Sequence, residues 1–282
     1  RIMKSDFFTF GGGHAWEDVF FYQKWRIQRN YTSKKCRLLD NWDIRRHEGT
    51  FEECRKAFIK YIEAYELARQ KGHMVIMIPG LGESKNVFKP LWREVLKDRF
   101  MVAAINYPST QKRIEGHVRQ LDFFLNHLED VNKVSFVTSG IGGIVLKALF
   151  SLESPWRKRL KIGRIVEVAP KNHGSKLLVR LSKNKLLGFI LGPMAAEMGQ
   201  RRIEVIPPYP REIETGIILS ESAVERAMEA LTGTKGHKTS VTEEKKFTGA
   251  KAVIKINNLH WNIFNNPKVV EKVVNFLKNG TF

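Results

Sequence analysis

The residues best placed to do chemistry lie in the stretch Val134-Ser-Phe-Val-Thr-Ser-Gly-Ile-Gly-Gly-Ile-Val-Leu-Lys-Ala-Leu149. It reads as a short apolar strand, a turn crowded with small residues, and the apolar opening of a helix. A sharp turn of this kind lifts the side chain at its apex above a sheet, where a hydroxyl could act as a nucleophile. The apex here is Gly140, which carries no hydroxyl, and Ser139 precedes it. Other patterns fare less well. Gly11-Gly-Gly-His14 has the glycines of a phosphate loop, but no strand precedes it and no Gly-Lys-Ser/Thr follows. The eight histidines are scattered without an HExxH pair, and Cys36 and Cys54 lie too far apart for a CxxC site. His173 and His237 read as loop or structural residues, and no GxGxxG follows a strand. No metal and no cofactor is therefore expected.

The elements that must hold that turn follow from periodicity. Residues 73–78 form a continuous apolar run, as a parallel strand buried on both faces requires. Further strands are expected at 100–107, 162–168, 215–219 and 252–256. Between them lie helical patterns at 87–97, 111–131, 221–231 and 267–277. The 111–131 helix places Ile114, Val118, Leu121, Leu125 and Leu128 on one face, and Pro267 suits the first turn of the last helix. Residues 171–210 break the alternation and are expected to form an insertion or cap, and 233–246 reads as polar loop. Ahead of the alternation, residues 1–72 form an N-terminal extension. Residues 7–39 are expected as irregular structure and strands draped over the domain, anchored by Trp16, Phe20, Phe21 and Trp25. Thr50 and Glu53 make a capping box for a helix over 51–70, with Phe58, Tyr61, Ile62 and Tyr65 on one face. Repeated strand–helix alternation over 73–282 predicts an α/β domain, a mostly parallel sheet with helices on both faces.

Several of these segments, in this order, resemble the α/β-hydrolases of the lipase and esterase type. Ile76-Met-Ile-Pro-Gly-Leu-Gly-Glu-Ser84 looks like that family's strand and HGLGGS turn. Ile105-Asn-Tyr-Pro108 is similar to the next strand end, and residues 134–149 to the elbow strand and helix. Val168-Ala-Pro-Lys-Asn-His-Gly-Ser175 is similar to an APPNHGS segment, and Asn258-Leu-His260 to the loop that carries the catalytic histidine. The resemblance implies an α/β-hydrolase fold with a cap-like insertion and a serine, histidine and acid triad. Carried over residue by residue, His260 takes the base position and Gly140 the nucleophile position. Ser139 stands where the family has a histidine. The backbone amides of Leu81 and Ile141 would form the oxyanion hole. Pro79 replaces the histidine that opens the oxyanion turn. The family's acid has no matching aspartate in Gly236-His-Lys-Thr-Ser-Val-Thr-Glu-Glu244, which leaves Glu221 as the best carboxylate.

Two functions follow. A glycine at the apex accepts positive φ without steric cost while removing the reacting atom, so the chain is expected to be catalytically degenerate, keeping a cleft for an acyl- or ester-like ligand, a lipid or a protein partner. The alternative is an active carboxylic ester hydrolase that uses a non-standard serine, such as Ser139, with His260 as base.

The 282 residues carry a net charge of +19, with basic clusters at 24–46, 157–185 and 235–255. No nucleic-acid-binding motif accompanies that charge. An anionic membrane surface is the functional partner it suits best, in a protein peripheral to the bilayer, because no apolar run approaches the roughly 20 residues of a span. Two cysteines are too few for a disulfide framework and favour a reducing cytoplasm.

Overall fold

The computed structural model describes residues 15–220, 223–233 and 238–282. The glycine run at 11–14 lies outside them. The extension is more regular than its sequence suggests. Strands β1 (Trp16–Tyr22), β2 (Trp25–Asn30), β3 (Cys36–Leu39) and β4 (Arg45–Gly49) form an antiparallel sheet in sequence order. Gln23 and Lys24, both at positive φ (49° and 70°), make the two-residue turn between β1 and β2, the geometry that matches strand twist in a tight hairpin. Helix α1 (Phe51–Ala64) covers the sheet, and Phe20, Trp25, Ile27, Leu38 and Phe58 form a small core between them. Trp16 is only half-buried, with the Arg37 guanidinium 4.1 Å from its ring centre.

The capping box of α1 is present: the Glu53 amide donates to Thr50 Oγ1 at 3.2 Å, and the Thr50 amide donates to the Glu53 carboxylate at 2.7 Å. The helix stops at Ala64, short of 70, because Glu66 adopts φ 48° and turns the chain back. Buried Asp18 ties this unit to the rest. Its carboxylate accepts from Arg26, Gln28 and the Asn106 amide, and its own amide donates to the Asn106 carbonyl at 2.9 Å.

The main sheet has six strands, all parallel, in the order β10-β9-β8-β7-β5-β6. In chain order its parts are β5 (His73–Ile78), α2 (Lys89–Lys97), β6 (Met101–Ala104), α3 (Ile114–Asn126), β7 (Lys133–Ser139), α4 (Gly142–Phe150), α5 (Trp156–Arg159) and β8 (Lys161–Val168). After β8 come α6 (Lys176–Ser182), α7 (Lys185–Leu191), α8 (Pro193–Ala196) and α9 (Gln200–Glu204). The chain then completes β9 (Thr215–Leu219), α10 (Ala223–Thr232), α11 (Val241–Thr248), β10 (Ala252–Lys255) and α12 (Pro267–Asn279). Met74, Ile76 and Ile78 of β5 face a core shared with α3 and α4, whereas Val75 and Met77 face one shared with α2 and α12. Burial on both faces is why the strand reads as an unbroken apolar run.

Strand β6 is shorter than 100–107 because Asn106 leaves the sheet to bond Asp18. Helix α3 starts at Ile114, whose amide donates to the Glu197 carboxylate at 2.9 Å, and ends before Asp130, which sits at φ 57°. The loop expected over 233–246 is corrected by α11. Ser240 and Glu243 make a capping box at its start, and Gly249 at φ 68° closes it. The insertion at 171–210 is a run of short helices, and its ends meet where the Ser175 amide donates to the Met198 carbonyl at 2.8 Å.

Helix α4 lies directly on the sheet. A Cβ at Gly142 would stand 2.7 Å from the Ile78 carbonyl oxygen and 2.9 Å from that of Pro79, and one at Gly143 would stand 2.7 Å from the Glu167 carboxylate. Gly142→Ala forces backbone apart rather than a flexible side chain, so urea unfolding should give a loss of about 1–3 kcal/mol, the usual cost of overpacking. Unchanged stability would mean that this contact does not constrain the turn.

Candidate active site

Strand β7 ends at Ser139, and Gly140 forms the apex of the turn into α4. Its φ is 49°, in the left-handed region, and its amide donates to the Val168 carbonyl at 3.0 Å. The space in front of it is open, since the nearest atom to a Cβ placed there is Gly80 Cα at 4.0 Å. A serine at this position would meet no clash, only the backbone strain of about 1–3 kcal/mol that a non-glycine residue bears there.

Ser139 itself is buried, and its hydroxyl lies beside the Glu83 carboxylate. The same carboxylate accepts from the Gly80 amide at 2.7 Å. Burial pushes the Glu83 carboxyl above the usual carboxylate range, and the Gly80 amide and Ser139 hydroxyl pull it partly back. Two more bonds fix the turn: the Gly82 amide donates to Ser109 Oγ at 2.9 Å, and the Tyr107 hydroxyl donates to the Pro79 carbonyl. Among the described residues the amides of Leu81 and Ile141 have no acceptor, which leaves both able to bind an oxyanion.

His260 follows β10 in a loop held by Asn258, whose side chain donates to the His260 carbonyl at 2.8 Å and accepts from its amide at 3.3 Å. The residue is exposed, and its ring makes no hydrogen bond with a hydroxyl or carboxylate among the described residues. Glu221 lies outside the described residues. Among the described residues no hydrogen bond links His260 to Ser139 or to Glu83.

A second polar cluster was not anticipated from the sequence. Glu167 of β8 is fully buried, with Lys147 Nζ of α4 at 3.2 Å and the Tyr209 hydroxyl donating to it at 2.9 Å. Asn172 donates to Glu167 at 2.9 Å and also to Glu244 of α11, and it accepts from Lys147. His173 Nε2 lies 3.0 Å from Glu244, with Glu204 3.6 Å from its Nδ1. A lysine in the apolar run 144–150 and a glutamate in the apolar run 165–168 were the signal, since buried charges of opposite sign require one another. Just beyond Glu167, Ala169 holds φ 48°, a strained conformation for a residue with a Cβ. Among the described residues no group of His, Cys, Asp and Glu is placed to hold a metal ion.

Comparison with family models finds no match, and comparison with curated proteins finds none. Among solved structures, the mature form of Bacillus licheniformis lipase BlEst2 superposes with a TM-score of 0.52 at 13% identity, over 74% of this chain and 91% of that one. The chain has the α/β-hydrolase fold. Two further structures superpose less well. They are the metagenomic carboxyl esterase MGS0156 (TM-score 0.48, 11% identity, 76% of this chain and 77% of that one) and a polyneuridine aldehyde esterase mutant (0.47, 10%, 74% and 100%). At such identities the likeness extends to the α/β-hydrolase fold and not to its chemistry.

Because the folded chain holds the Glu83 carboxyl above its ordinary value, the folded state binds that proton more tightly than the unfolded state. The ionised group is therefore unfavourable at neutral pH, and the penalty fades as pH falls through the folded value toward the ordinary one. Glu83→Gln keeps an acceptor for the Gly80 amide without the charge. Its stability relative to the native chain should be highest at pH 7.5 and shrink by pH 5 in urea unfolding; a pH-independent difference would contradict this.

Proposed function

We propose that this α/β-hydrolase-fold chain, of lipase or esterase ancestry, has lost ester hydrolysis and keeps its cleft to bind an acyl- or ester-like ligand. The observation that carries this reading is Gly140: it holds the left-handed apex conformation, with open space where a nucleophile's side chain would stand. Removing a triad nucleophile lowers turnover on the order of a millionfold, while the fold is spared because glycine suits that φ. The Glu83 carboxylate beside the Ser139 hydroxyl, and an exposed His260 ring hydrogen-bonded to neither among the described residues, support the same conclusion. An active enzyme using Ser139 would need the turn to slip by one residue. Slippage would bring a side chain to the Gly142 position, against the Ile78 and Pro79 carbonyls.

The test is covalent labelling with a fluorophosphonate probe. The native chain should not label, and Gly140→Ser should label in a manner lost on His260→Ala. Labelling of the native chain that disappears in both Ser139→Ala and His260→Ala would establish the active hydrolase instead.

The partner that the surface favours is an anionic membrane. Helix α7 has no buried residue, and Leu186, Phe189 and Ile190 are 69%, 85% and 49% exposed. Exposed Lys183 and Lys185 flank it on a chain of net charge +19. Among the described residues no helix is long and apolar enough to cross a membrane, so α7 would lie in the interface, its apolar side chains among the acyl chains and its lysines at the headgroups. Moving a leucine or phenylalanine out of water contributes about 1.5–3 kcal/mol. Leu186→Asp/Phe189→Asp should therefore weaken cosedimentation with phosphatidylserine vesicles at least ~10-fold, and added salt should weaken the native chain. Equal cosedimentation of variant and native chain would rule α7 out.

A further inference from the structure

A pocket of about 100 Å³ opens at the carboxyl ends of β8, β9 and β10, beside the polar cluster, whose Asn172, His173 and Glu244 help to line it. It includes neither Gly140 nor His260 in its lining. In open parallel sheets this crevice beyond the strand ends is where ligands settle. The wall comes from five separate parts of the chain, which is unlike a simple surface dent. Pro170, Lys171 and His173 follow β8, Leu219 and Ser220 end β9, Arg226 and Glu229 come from α10, Lys238 and Glu244 lie just before and on α11, and Lys255 ends β10.

Three observations specify the occupant. The first is charge. Arg226 and Lys255 bring two positive charges to the pocket, whereas Lys171, Lys238 and Glu229, which also line it, have partners of their own. Glu244 is moreover held by Asn172 and His173, so it faces its own partners. The second is the Ser220 hydroxyl, which is buried and has no hydrogen-bond partner among the described residues. Leaving such a group unsatisfied is unfavourable, and an acceptor in the pocket would relieve it. The third is size. Space for roughly three waters is well below the 300 Å³ or more of an organic-ligand pocket, and suits one compact, doubly charged group with the remainder of its molecule outside. Ala169, strained at φ 48° immediately before Pro170, adds the backbone signature of a functional loop.

We infer that this pocket binds a phosphate monoester, with Arg226 and Lys255 meeting the dianion and the Ser220 hydroxyl donating to a phosphoryl oxygen. Lysines serve as point charges and arginine as a planar fork for such a group. The site is independent of whether the elbow is catalytic. The same headgroup chemistry occurs in a soluble phosphomonoester and in phosphatidic acid, and the two sources separate by experiment.

Isothermal titration with inorganic phosphate and with glycerol 3-phosphate should give saturable binding. It should weaken at least ~10-fold in Arg226→Gln/Lys255→Gln and by a smaller factor in Ser220→Ala, with circular dichroism confirming that both variants fold. Lys89→Gln, on α2, should bind as the native chain does. Acetate, with one charge, should bind far more weakly. In the vesicle arm, a preference for phosphatidic acid over phosphatidylserine that the double variant loses would assign a lipid headgroup; soluble binding without that preference would assign a free phosphomonoester. The proposal is overturned by absence of saturable phosphate binding at millimolar concentration, by equal affinity in the double variant, or by acetate binding as tightly as phosphate.

Discussion

Much of this molecule follows from one close approach, that of helix α4 to the carbonyls of Ile78 and Pro79. Only a residue without a side chain fits at Gly142, and Gly143 is closed in by Glu167 in the same way. The contact pins the end of β5 to the start of α4, so Gly140 and Ile141, the two residues between β7 and the helix, have little freedom. Gly140 must then adopt its left-handed φ, and Ser139 must face the 79–83 turn, where Glu83 receives it. A backbone constraint, rather than any side-chain attraction, thus decides which groups face the cleft.

The parts of the fold that could be read in advance are those where local pattern and tertiary demand agree. Residues 73–78 and 215–219 are strands at those bounds because burial on two faces leaves no alternation to misjudge. The Thr50–Glu53 box announced α1, yet the equivalent Ser240–Glu243 box was overlooked because the polar residues around it resemble a loop. The N-terminal sheet was obscured for a different reason. Its strands bury Asp18, Arg26 and Gln28 as well as aromatics, so polar residues sit where a hydrophobic pattern expects apolar ones. Of the candidate site, the apex glycine and the 79–82 turn were visible as motifs. The Glu83 interaction was not, because nothing in sequence tells which way a carboxylate two residues past a turn will fold back.

The cluster around Glu167 shows how ionisable groups are tolerated at depth. Two carboxylates, Glu167 and Glu244, share one amide donor group in Asn172, with Lys147 against the first and His173 against the second. Taking away Lys147 would leave Glu167 an uncompensated buried charge, which in such pairs costs about 3–5 kcal/mol. The arrangement joins α4, β8, the loop after β8 and α11 through hydrogen bonds whose geometry is specific, where apolar packing alone would allow several registers.

The bond between the Ser175 amide and the Met198 carbonyl has an evolutionary corollary. The excursion carrying α6, α7 and α8 is stapled at its base, with Gly174 pressed against Met198 and Gln200, and α8 rests on the domain through the core residue Met194 and through Gly192 against the Thr110 carbonyl. Of these three helices α7 alone buries no residue, and length changes there alter closure entropy only slowly. Helix α7 is therefore the place where a lineage could trade, extend or erase a segment while the scaffold under it stayed the same.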